Sequence, residues 1–163
     1  MNNRKITIGV IGGNVVDEKT SETAYNVGKH IAMNNAVLVC GGLGGVMESA
    51  SKGAYENGGM VLGILPGESK QDANKFISLA IPTGFGAGRN IIVVRASDVL
   101  IAFPGSYGTL SEISFALTIG KTVVYMPGSW DLKKIGKIDS SLFKEAFEPG
   151  QAVGIALNAL SEK

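Results

Sequence analysis

A carboxylate and a guanidinium, each set among glycines, are the residues of this chain whose types and spacing could do chemistry. Glu112 belongs to Pro104-Gly105-Ser106-Tyr107-Gly108-Thr109-Leu110-Ser111-Glu112, which follows the apolar run Val99 to Phe103 and opens a helical pattern. Gly105 and Gly108 let backbone approach a ligand, and Thr109 offers a hydroxyl and an N–H at the helix start. With Ser106 and Tyr107 they make a candidate ligand-binding turn, with Glu112 one helical turn beyond it. Thr109-x-x-Glu112 is also a capping box, in which the glutamate returns to the N-cap amide and only starts the helix; spacing alone favours the cap.

Arg89 follows Gly84, Gly86 and Gly88 and precedes the apolar run Ile91 to Val94. A cation at the positive end of a helix is unfavourable unless an anion lies between, so Arg89 is a candidate phosphate ligand. Two further turns join it: Gly12, Gly13 and Asn14 after one apolar run, and Gly41, Gly42, Gly44 and Gly45 after another. Either could be only a tight strand-to-helix turn. Three such turns in register favour a ligand.

Other motifs carry less. The turn at Gly12 lacks the G-x-G-x-x-G spacing, and the second apolar run ends in Cys40 and Gly41 in place of a ribose-binding acid, so a conventional dinucleotide oxidoreductase is not expected. Gly120-Lys121-Thr122 imitates a P-loop tail but lies between a helix and a strand, the reverse of the required order. Cys40, the single cysteine, reads as a small buried hydrophobe, and His30, the single histidine, as a helix surface or boundary residue. No metal site is expected from so few ligands.

The elements that must position these residues alternate. Apolar runs at 5–11, 36–40, 60–65, 76–81, 99–103, 122–126 and 143–146 read as strands. Helical spacing marks 21–34, with Thr20 or Ser21 as cap, then the stretch after Gly45, 89–96, 109–119 and 150–160. Beyond Pro127 the pattern weakens through Trp130 and the lysines 133, 134 and 137. Strands buried on both faces and alternating with helices predict an α/β, Rossmann-like, doubly wound parallel sheet of about seven strands flanked by helices, in one domain. Ligands bind such sheets beyond the carboxyl ends of the strands, where all three glycine turns fall.

Composition bounds the partners. The 163 residues carry a net charge of +1 and only 18% charged side chains, which gives no field for nucleic acid. No stretch approaches a membrane span or a signal peptide, so a cytoplasmic protein is expected. Low charge, with apolar helix positions such as Ile92, Ile113, Ala116 and Leu117, predicts a homodimer or higher homo-oligomer.

PGSYGTLSE resembles the PGGxGTxxE signature of the LONELY GUY family of cytokinin-activating phosphoribohydrolases, once described as lysine decarboxylases. With GGLGGVMESASKGA, GILPG and TGFGAGRN, residues 5 to 126 look closest to the molybdenum-cofactor carrier branch of that superfamily. The resemblance implies a nucleotide phosphate on the PGSYGT turn, a homodimer, and, in hydrolase members, a catalytic arginine and glutamate matching Arg89 and Glu112. Two departures stand out: Ser106 replaces the second glycine, and Ala87-Gly88-Arg89-Asn90 replaces a Met-His-x-Arg-Lys context. Two functions follow: a carrier of a nucleoside monophosphate or of molybdopterin or its molybdenum form, requiring no other cofactor, or a phosphoribohydrolase.

Overall fold

Runs such as TIGVI and VLVC have no polar face to turn to solvent, so they fold only where both sides are covered. In the structure, a computed structural model that describes residues 4–130, 132 and 139–161, they do so as the inner strands of one sheet. The chain runs β1 (Thr7–Ile11), α1 (Glu18–Met33), β2 (Val37–Cys40), α2 (Val46–Glu56), β3 (Met60–Leu65), β4 (Leu79–Pro82), α3 (Asn90–Ala96), β5 (Val99–Ala102), α4 (Tyr107–Thr118), β6 (Val123–Tyr125), β7 (Phe143–Glu145) and α5 (Pro149–Ser161). The lysines 133, 134 and 137 lie outside the described residues.

All seven strands are parallel, in the order β4-β3-β2-β1-β5-β6-β7. Alternate residues feed two cores. Ile8, Val10, Leu38, Val99 and Ile101 face α1, α2 and α5. Val39, Leu100, Ala102, Val123 and Tyr125 face α3 and α4. β1 leads to β2 on one side and β5 to β6 on the other, so the two central neighbours diverge and leave a crevice beyond their carboxyl ends.

The expected strands and helices are present, with corrections at their ends. α1 starts at Glu18, ahead of the expected Ser21, because the Asp17 carboxylate accepts the Thr20 N–H at 2.7 Å and caps the helix. β4 starts at Leu79 and not at Phe76: Asn74 Oδ1 accepts the Phe76 N–H at 3.1 Å, a local turn that keeps this segment off the ladder. Ile113 and Ala116, expected on an uncovered face, are buried in the chain's own core, whereas Phe85, Ile91 and Tyr107 are exposed.

Lys121, the residue of the P-loop imitation, has a structural position. Its Nζ donates to the carbonyls of Val94 at 2.9 Å and Arg95 at 3.1 Å and to that of Ser97, closing the C-terminal end of α3. No helix among the described residues is long and apolar enough to cross a membrane.

Candidate functional site

The crevice between β1 and β5 is where side chains from distant parts of the sequence meet. Gly13 N–H donates to Pro104 O at 3.0 Å and Val46 N–H donates to Gly13 O at 2.9 Å, so three loops interlock there. Gly44 N–H adds a bond to Asn14 Oδ1 at 3.1 Å, and Gly42 N–H points to Cys40 Sγ at 3.4 Å. The Gly41–Gly45 loop therefore spends three of the amides in and around it on the protein itself. Gly45 has φ +62, and a Cβ there would collide with the Gly13 carbonyl, so the interlock needs glycine at this position.

On the α3 and α4 side of the interlock lies a cavity of about 300 Å³, lined by Gly12, Asn14, Gly41, Leu43, Met47, Arg89, Asn90, Ser106, Gly108, Thr109 and Glu112. It gathers most of the residues singled out in the sequence. Gly42 and Gly45 shape the loop behind it, and Gly13 and Gly105 lie on the far side of the interlock. Asn90, Leu43 and Met47 join the lining although none was singled out as a site residue; their place in the GGLGGVMESASKGA and TGFGAGRN motifs, and the adjacency of Asn90 to Arg89, was the available signal.

Arg89 is only 8% exposed, and its Nε has no hydrogen-bond partner. The guanidinium lies against Gly41, where a Cβ would run into Nη1 and Cζ. Among the described residues no ion pair joins it to Glu112, although the carboxylate is close enough to act on its charge. Burial works against the Arg89 cation, with Glu112 the first counterweight. Glu112 is 7% exposed, and burial pushes its carboxyl up to about 7, the Arg89 charge pulling the other way. The chamber thus holds a buried, incompletely paired cation beside a carboxyl poised near neutrality.

The capping box does not form. α4 begins at Tyr107 with Ser106 as its extended N-cap, which places Thr109 and Glu112 within the helix. Thr109 Oγ1 lies back against Gly105, and Glu112 lines the chamber. Ser106 makes no side-chain capping bond, and among the described residues no acceptor meets the amides of Tyr107, Gly108 and Thr109. An uncapped helix start facing a buried arginine is suited to an anion. Cys40 is fully buried, and burial pushes its thiol up, which leaves it inert as a nucleophile.

A model of the SLOG cluster4 family matches residues 5–158. The chain belongs to the SLOG cluster4 family. This SLOG cluster4 chain is 51% identical over 116 residues to an uncharacterized protein of Archaeoglobus fulgidus, covering 71% of this chain and 76% of that one. The structure of the molybdenum cofactor binding protein from Rippkaea orientalis superposes with a TM-score of 0.91 at 34% identity, covering 98% of this chain and 99% of that chain. A cytokinin riboside 5′-monophosphate phosphoribohydrolase of Arabidopsis thaliana is 33% identical over 96 residues, covering 57% of this chain and 42% of the plant protein. The SLOG cluster4 chain thus spans less than half of that hydrolase. The likeness read from PGSYGTLSE holds: the chain sits in the LONELY GUY and molybdenum-cofactor carrier superfamily, on its Rossmann-like fold.

Proposed function

We propose that this protein is a cytoplasmic carrier that binds a phosphorylated, nucleotide-like ligand, either a nucleoside monophosphate or a molybdopterin-type cofactor, in the Arg89 chamber. The observation that carries this reading is the buried guanidinium whose Nε has no partner, set in one cavity with the uncapped start of α4. A phosphate there would take charge-assisted bonds from Arg89 and amide bonds from Gly108 and Thr109. The unpaired donor and the glycine against which it rests fit a phosphomonoester. A molybdopterin-type ligand brings the sulfur donors for molybdenum, which would be cargo; the chain's part is to hold the phosphate and limit access of water. The similarity to a molybdenum cofactor binding protein over nearly the whole of both chains supports the carrier.

Glu112 supports a second reading, a nucleoside 5′-monophosphate phosphoribohydrolase. A carboxyl near 7 can be ionised to face a cationic sugar or protonated to donate to a leaving base. Native mass spectrometry of the protein as purified tests the carrier, which predicts a retained phosphorylated mass. A free-base release assay with nucleoside monophosphates tests the hydrolase: release by the wild type that disappears in Glu112→Gln would put catalysis first, and no release leaves the carrier.

A further inference from the structure

The bond from Gly13 N–H to Pro104 O does more than join two turns: it divides the mouth of the crevice. On the side away from Arg89 lies a second, larger cavity of about 830 Å³, at the ends of β1, β5, β6 and β7. Asn14 and Ser106 line both cavities, so the two adjoin across one saddle. The inner chamber is at the bottom of the ~300–1,000 Å³ range of small-molecule sites and leaves little room beyond a phosphorylated sugar, whereas the outer one lies well within that range.

The outer cavity differs from the inner in chemistry. Val15, 91% exposed, and Phe147, 69% exposed, are large apolar side chains held at its lining, with Met126 and Pro127 beside them. Asp17 lines it too. Because Asp17 Oδ1 accepts the Thr20 N–H, the start of α1 already has its anion, and a second anion there meets like charge. The Thr20 side chain also acts on this carboxylate, which, being acceptor-only with about four lone-pair sites, keeps acceptor capacity beyond the cap. Lys19, the one cation in the lining, lies two residues beyond that carboxylate, with Glu18 between them. Apolar side chains beside an ionised acceptor suit a planar heteroaromatic ring that presents neighbouring N–H donors.

We propose that the outer cavity is the ring subsite of the ligand: Asp17 recognises an aminopyrimidinone edge, as in guanine or a pterin, with Val15 and Phe147 against the ring, while the phosphate lies across the saddle near Arg89. The assignment rests on the phosphate reading of the inner chamber. Calorimetric titration of the full chain with GMP, IMP and ribose 5-phosphate tests it, with Asp17→Asn chosen because asparagine keeps the helix cap. The wild type binds GMP roughly ten-fold or more tighter than IMP, which lacks only the exocyclic amino group. Asp17→Asn erases that preference and leaves ribose 5-phosphate unchanged. A pterin bearing a phosphomonoester, run beside GMP, shows which ring source binds tighter. Equal affinity for GMP and IMP in the wild type, or a preference that survives in Asp17→Asn, overturns it. Ribose 5-phosphate separates the two levels: if its binding weakens in Arg89→Ala while GMP and IMP bind alike, the ring subsite is lost and the phosphate site stands. If Arg89→Ala changes nothing, the phosphate reading falls as well, and the ring subsite with it.

Discussion

The Arg89 guanidinium occupies the space that a side chain at position 41 would need. Gly41 has no left-handed backbone requirement, so its glycine is explained by this neighbour alone. Gly41→Ala is therefore expected to fold with a stability change within about 1 kcal/mol, because only the flexible end of an arginine must move and alanine restricts the unfolded chain. Phosphate-ligand affinity should nevertheless drop roughly ten-fold or more, the worth of a charge-assisted bond. Thermal melts and calorimetry on one sample measure both, and an undiminished affinity would detach Arg89 from binding.

Ser106→Asp tests the other half of the anion site. Aspartate at the N-cap should accept the free amides of α4 and add about 0.5–1 kcal/mol of stability. The same carboxylate would occupy the place of the phosphate and repel it. The expected result is a higher melting temperature with ribose 5-phosphate binding weakened at least ten-fold. Stabilisation without any loss of binding would show that the phosphate does not use this helix start.

Glu112 makes stability depend on pH in a stated direction. Its folded pKa, about 7, lies above the ordinary 4.5, so between those values the folded protein holds a proton that the unfolded chain has released. The stabilisation is full below about pH 4.5 and is lost as pH rises through 7, by roughly 3 kcal/mol over the whole window. Glu112→Gln should remove this slope and be the more stable protein at pH 8. Denaturant melts from pH 5 to 8 check it; parallel curves for the two proteins would mean that the carboxyl is not held neutral by burial.

Assembly is the remaining expectation. Phe85, Ile91 and Tyr107 are exposed at 69%, 49% and 90%, all on or next to the segments that carry Arg89 and the start of α4. We expect a homodimer or higher homo-oligomer that covers this apolar surface. Light scattering after size exclusion at micromolar concentration should give at least twice the 16.9 kDa chain mass, and Tyr107→Lys should lower it. A single-chain mass for the wild type would refute this.

The alternation of strands and helices was legible because a parallel sheet buried on both faces leaves uninterrupted runs such as VLIA, and few other folds tolerate them. Element ends were less legible. Asp17, Thr20 and Ser21 are all competent caps, and which one starts α1 depends on where β1 releases the chain. Thr109-x-x-Glu112 has the spacing of a capping box, yet Ser106 starts the helix first and frees the glutamate for the cavity. Arg89 was found through the electrostatic conflict of a cation at a helix start, whereas its contact with Gly41 was not, since nothing in the spacing links positions 48 residues apart. The outer cavity was invisible for the same reason: Asp17, Met126 and Phe147 come from three unrelated loops.

Lys121 gives the fold a mechanical linkage. α3 is seven residues long, too short to hold its own shape in water, and one of its ends adjoins Arg89 while the other is gripped by the Lys121 ammonium. Such a helix behaves as a strut about 10 Å long, pinned at the entrance to β6 and bearing the site's cation at its other end. The orientation of that guanidinium is thus set in part by a lysine at the amino end of an inner strand, outside both cavities described above, and the strand that follows it becomes the foundation on which the charge is aimed.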